Sequence, residues 1–256
     1  MRRLYLTLLL IIPSLLFADD MSFTFRYPED KSGIFTGLMP KNLPDEKGYN
    51  GSQTTITPLF AGGRVVYRDF SFQLVLPLVI NPDRTKDDIM LNTLLIDAGY
   101  VFRYGDSKIL SGIQFTPGLN AGANPQNELR NNVSFYSCFY GRIIGNFSIG
   151  INLQYYQSLS DKIKYSGLYI TRANSGFSSE IRAEYLFGAE NLSVVSDILL
   201  FRDTSNGISN IYLNPGVRFL ADENNTVYVT LSIPLYDDNF TTRYGSGINL
   251  YYDKRF

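Results

Sequence analysis

Residues 226–235 read Thr-Val-Tyr-Val-Thr-Leu-Ser-Ile-Pro-Leu, and residues 248–256 read Ile-Asn-Leu-Tyr-Tyr-Asp-Lys-Arg-Phe. In the first stretch Val227, Val229, Leu231, Ile233 and Leu235 alternate with Thr226, Tyr228, Thr230, Ser232 and Pro234. In the second, Ile248, Leu250, Tyr252 and Phe256 share one parity, and Asn249, Tyr251, Asp253 and Arg255 share the other. A period of two means extended strands with one apolar and one polar face.

The same pattern continues back along the chain. Strands are predicted at residues 54–67, 70–80, 89–104, 107–119, 132–143, 147–158, 175–188, 191–202, 209–220, 226–236 and 243–256. Short connections (Arg68-Asp69, Gly105-Asp106, Ile144-Gly145-Asn146, Ala189-Glu190 and residues 222–225) alternate with longer polar ones at 81–88, 120–130, 160–174, 203–207 and 237–242. Most of these strands reach the roughly 9–11 residues that a tilted membrane strand needs. A closed barrel of this kind has an even strand count. A further strand is therefore expected at 32–39, giving about twelve. Pro40, Pro44 and Gly48 then fall in an outer loop.

An amphipathic strand ending on an aromatic residue resembles the closing strand of bacterial outer-membrane β-barrels. In that class the terminal Phe belongs to the signal read by the assembly machinery. The resemblance implies outer-membrane lipids and the barrel-assembly machinery as partners. Ile248, Leu250, Tyr252 and Phe256 form the closing-strand signature; Lys254 departs from it, occupying a slot that is usually apolar. Alternation alone does not separate such a barrel from a soluble β-sandwich. The turn rhythm and the amino terminus favour the membrane. Arg2 and Arg3, the apolar run 4–17 and Ala18 read as a cleaved signal peptide at 1–18, because the run is too short to span. Residues 19–256 are then one all-β, up-and-down transmembrane barrel, with 19–31 a periplasmic segment ahead of it. The expected location is the bacterial outer membrane.

Composition narrows the function. Loss of the leader takes the formal net charge from −1 to about −3, which argues against a nucleic-acid partner. The 19 Tyr and 18 Phe suit aromatic girdles, although Trp is absent. Tyr155, Tyr156, Tyr251 and Tyr252 read as such girdle or rim residues. There is no histidine. Outer-membrane phospholipases, lipid A deacylases, palmitoyltransferases and omptin proteases all resemble this chain in topology and rely on one. A Ser–His or Asp–His mechanism is therefore excluded. With one cysteine, Cys138, and no histidine, no zinc site is expected. No cofactor is implied.

Charges recur on the polar parity: Arg64, Asp97, Arg103, Arg142, Glu180, Arg182, Glu184, Asp197 and Arg218. Facing lipid at the midplane, an Arg would cost roughly 2–4 kcal/mol, so these residues are expected to line the lumen. They could form a selective constriction or a salt-bridged plug. The two-residue turns set the register. Arg68-Asp69 predicts Arg64 opposite Gln73, and Ala189-Glu190 predicts Arg182 opposite Asp197.

Residues 213–218 (Leu-Asn-Pro-Gly-Val-Arg) and 232–236 (Ser-Ile-Pro-Leu-Tyr), followed by the terminal Phe strand, resemble the family named for the MetA pathway of phenol degradation. The resemblance covers mainly the carboxy-terminal third and implies outer-membrane transport; substrates in that family are mostly inferred. The expected function is a channel or transporter for small polar or amphipathic solutes. The alternative is a closed structural or adhesion barrel that acts through its outer loops.

Overall fold

The computed structural model describes residues 27–42, 55–80, 89–91, 94–117, 132–159, 175–187, 191–204, 209–237 and 246–256. The expected leader at 1–18, the start of the 19–31 segment, most of the long polar loops and the Ala189-Glu190 turn lie outside these residues.

The strands are β1 (Gly33–Leu38), β2 (Thr55–Tyr67), β3 (Phe70–Ile80), β4 (Leu95–Tyr104), β5 (Ser107–Thr116), β6 (Asn132–Ile144), β7 (Phe147–Ser158), β8 (Ser175–Leu186), β9 (Leu192–Asp203), β10 (Ser209–Leu220), β11 (Asn225–Asp237) and β12 (Gly247–Arg255). Lys41–Asn42 shares the neighbours of β1 and continues it, while Ile89–Leu91 pairs with the end of β3 and leads into β4. Each strand is antiparallel to the next, and β1 pairs with β12 from Gly33↔Arg255 to Leu38↔Leu250, closing the sheet into a twelve-stranded barrel. Closure removes every sheet edge, which a strand needs where no water can satisfy its backbone. No helix occurs among the described residues.

The turns match their chemistry. Arg68, Gly105 and Gly145 each open a two-residue turn at positive φ, 57°, 57° and 52°. Glycine adopts that conformation freely, whereas Arg68 is held there by the strands on either side. The connection expected at Ile144-Gly145-Asn146 is tighter, because Ile144 pairs with Phe147 and the register shifts between Arg142 and Ile144. A second shift lies between Ile211 and Tyr212, opposite Pro234, where a missing N–H is tolerated.

The faces follow the alternation. Val65 is 60% exposed, whereas Arg64 beside it is 6% exposed. Phe70, Phe72, Leu74 and Leu76 point outward, as do Ile181, Tyr185, Val194, Ile198, Leu231, Ile233, Ile248 and Leu250. The buried interior is mostly polar: Ser71, Gln114, Ser134, Asn152, Gln154, Thr230 and Asn249 all lie there. An apolar outside around a polar, buried inside inverts the plan of a soluble barrel. Ser111 and Ser137 are polar residues of the outward parity, and they hydrogen-bond each other at 2.9 Å.

Candidate functional site: the lumen

One wall of the lumen carries the charges. Arg182 on β8 faces Asp197 on β9, and two guanidinium nitrogens donate to the two carboxylate oxygens at 2.5 and 2.6 Å. Two residues along β8, Glu184 accepts from Arg218 at 2.7 Å, Tyr140 at 3.0 Å and Tyr27 at 2.9 Å. Arg182 also donates to the Tyr27 hydroxyl. The guanidinium groups of Arg182 and Arg218 lie 5.0 and 5.1 Å from the centre of the Tyr27 ring, within cation–π range.

Tyr27 is the surprise of this site. It belongs to the segment before β1, expected to lie ahead of the barrel, yet its side chain sits among lumen residues. The segment is pinned around the mouth at the short-turn end. Glu29 pairs with Arg255 at 3.5 Å, and Asp30 accepts from Lys108 at 2.8 Å with Arg103 at 3.9 Å. Arg64 donates to the Lys31 carbonyl at 2.9 Å, and Phe256 donates its backbone N–H to the Ser32 carbonyl at 2.9 Å. Burial raises the Asp30 pKa, but the hydrogen bond and charge of Lys108, with Arg103 beyond, outweigh it and hold the carboxyl below its ordinary 3.8. In the sequence Met21, Phe23, Phe25 and Tyr27 alternate with Ser22, Thr24 and Arg26, but Pro28 and the charged residues 29–31 break the period, so no register ties Tyr27 to a strand or places it in the lumen.

The adjoining wall, on β12, β1 and β2, is aromatic. Phe35 on β1 and Phe60 on β2 lie 6.2 Å apart, and Tyr251 on β12 lies 6.1 and 6.0 Å from them. Each phenyl ring covers the glycine directly opposite it on the neighbouring strand, Phe35 over Gly62 and Phe60 over Gly37. A Cβ on Gly37 would meet the Phe60 ring at 2.3 Å, and one on Gly62 would meet the Phe35 ring at 2.4 Å. Met39, Val75 and Leu95 complete this apolar patch. Rings then run from Tyr251 to Tyr228 at 5.4 Å, to Tyr27 at 5.5 Å and to Tyr140 at 5.0 Å. Tyr251 and Tyr156, read from the sequence as girdle or rim residues, thus turn inward. Tyr251 shares its parity with Asn249 and Asp253, the signal that placed it.

The nine charged candidates divide into groups. Glu180, Arg182, Glu184, Asp197 and Arg218 gather on β8–β10. Arg64 sits apart, paired with Asp253 at 3.3 Å. Asp97 accepts from the buried Tyr136 hydroxyl. Arg103 and Arg142 are exposed, close to the turns at Gly105 and Gly145, so they flank the mouth rather than the middle of the barrel. Arg103 reaches Asp69 in the neighbouring turn. No cluster of metal-ligating side chains occurs among the described residues.

No family model matches the sequence, and no curated relative does. Solved structures match the whole barrel. The COG4313 outer membrane channel from Pseudomonas putida F1 aligns at a TM-score of 0.67 and 11% identity, over 93% of this chain and 100% of that one. The KdgM porin in complex with disordered oligogalacturonate aligns at 0.56 and 12% identity, over 88% and 99%. The NanC porin aligns at 0.55 and 8% identity, over 88% and 98%. At such identities the likeness is one of fold: the chain has the fold of an outer-membrane β-barrel.

Proposed function

We propose that this protein is an outer-membrane channel for small polar or amphipathic solutes. The observation that carries the reading is a lumen with two kinds of lining side by side: ion-paired Arg182, Asp197, Glu184 and Arg218 on β8–β10, and Phe35, Phe60 and Tyr251 on β12, β1 and β2. Charged side chains are rare at such depth unless they line a polar path. Aromatic rings beside them suit solutes with an apolar face. The expected leader at 1–18 and the closing-strand signature fit delivery by the secretory route and the barrel-assembly machinery. The resemblance of residues 213–218 and 232–236 to the MetA-pathway family points to the same transport class. A Ser–His or Asp–His catalytic step is not part of this reading, because the sequence holds no histidine.

One observation favours the closed-barrel alternative. Tyr27 and its partners fill the lumen near the short-turn mouth. Liposomes carrying the purified protein separate the two. A channel admits small sugars and amino acids, and the vesicles swell faster than empty ones. A closed barrel leaves the swelling rate unchanged.

A further inference from the structure

Two like charges face each other on the rim of the short-turn mouth. Arg103 on β4 stands directly opposite Lys108 on β5. Like charges in that position destabilise a pair of strands. Carboxylates answer them here. Asp69, in the turn between β2 and β3, pairs with Arg103 and holds it in place. Asp30 balances the charge that remains: its Oδ2 accepts from Lys108 Nζ at 2.8 Å and lies 3.9 Å from Arg103 Nε. Asp30 belongs to no strand. It comes with the segment before β1, so the group that completes this cluster is not part of the barrel ladder. The cluster is open to solvent, with the Arg103, Lys108 and Asp30 side chains 41%, 34% and 33% exposed.

The barrel thus presents an ammonium and a guanidinium around a space that one carboxylate already fills. We propose that Lys108 and Arg103 form a binding site for a monocarboxylate solute, and that Asp30 is its internal competitor. An arriving carboxylate takes over the bonds to Lys108 and Arg103, and the segment loses one of its tethers. With Asp69 on Arg103, a single positive charge is left once Asp30 departs, so the site suits one carboxylate rather than two. Asp30 competes from a short stretch of chain, which keeps its effective concentration on the order of millimolar and holds down the affinity for free solute. The proposal deepens the channel reading and rests on it: it names carboxylates as a solute class and the short-turn mouth as the place where they are held.

The test is calorimetric titration of the full mature protein in detergent, with sodium benzoate against benzamide in sodium chloride of the same ionic strength. The two solutes share a shape and only the first is charged, so apolar contacts and salt screening cancel in the comparison. Benzoate is expected to bind more tightly than benzamide. Asp30→Asn leaves Lys108 and Arg103 in place and alters no strand, so it is expected to assemble. It should bind benzoate about tenfold or more tightly than the wild type, because no charge-assisted hydrogen bond has to be displaced first. Lys108→Met in the Asp30→Asn background should abolish that gain. If this double variant does not assemble, Arg103→Gln in the same background should reduce the gain. Equal binding of the two solutes, no tightening in Asp30→Asn, or a gain that survives these second changes overturns the site and leaves Asp30 as a structural tether. Tightening in a protein that conducts nothing would keep the site and remove the transport reading.

Discussion

Arg182 and Asp197 stand directly opposite each other on β8 and β9, both 2% exposed, joined by two parallel N–H···O bonds. Losing one member of a buried pair costs roughly 3–5 kcal/mol, because the other charge is stranded. Here the two members are unequal. Arg182→Met strands both Asp197 and Glu180. Asp197→Leu leaves Arg182 free to turn toward Glu180. Urea unfolding of the solubilised barrel should therefore rank Arg182→Met as the worse single change. The double variant should be more stable than Arg182→Met alone, since only Glu180 then lacks a partner. Additive losses in the double variant would mean the pair is not coupled.

The faces on β3 give a sharper contrast. Leu74 is 47% exposed on the outside, and Gln73 beside it stands between Arg64 and Asp97 on the lumen side. Leu74→Arg is expected to cost roughly 2–4 kcal/mol in a bilayer. Gln73→Arg, next to the Asp97 carboxylate, is expected to cost much less. Folding yield into lipid vesicles measures both. Equal yields would contradict this assignment of faces, and a lower yield for Gln73→Arg would place the register one residue off.

Much of this arrangement was legible in the sequence, for a physical reason. Alternation fixes faces, and a two-residue turn fixes register, so Arg64 opposite Gln73 and Arg182 opposite Asp197 follow from counting back from the turns. Depth is harder to read. Arg103 and Arg142 lie on the inward parity, but only their closeness to Gly105 and Gly145 tells that they reach the mouth. Residues 27–31 were illegible because they have no ladder and no period. Their position is set by side chains from far along the chain, such as Glu184 and Arg218, whose partners no local pattern names.

Acid should release that segment. Asp30 has a folded pKa held below its ordinary value by Lys108 and Arg103. A depressed carboxylate contributes stability that is full above the unfolded pKa and is lost as pH falls through the folded one. The tether should thus be intact from neutral pH down to the ordinary Asp range and weaken below 3.8. Protease cleavage within the amino-terminal segment is the readout. Asp30→Asn should show the acid behaviour already at neutral pH, with Lys108 and Arg103 unaltered. An unchanged cleavage profile in this variant would show that Asp30 does not hold the segment.

Tyr27 packs between Tyr140, Tyr228 and Glu184 inside the barrel, and its removal is expected to widen the path there. Single-channel recording in a planar bilayer tests this most directly, comparing the wild type with Tyr27→Ala. Removing the ring takes away the contacts with Tyr140 and Tyr228 and the hydrogen bond to Glu184. A small conductance is expected for the wild type and a several-fold larger one for Tyr27→Ala, with the barrel still heat-modifiable on a gel. A folded Tyr27→Ala protein that conducts no more than the wild type would contradict it.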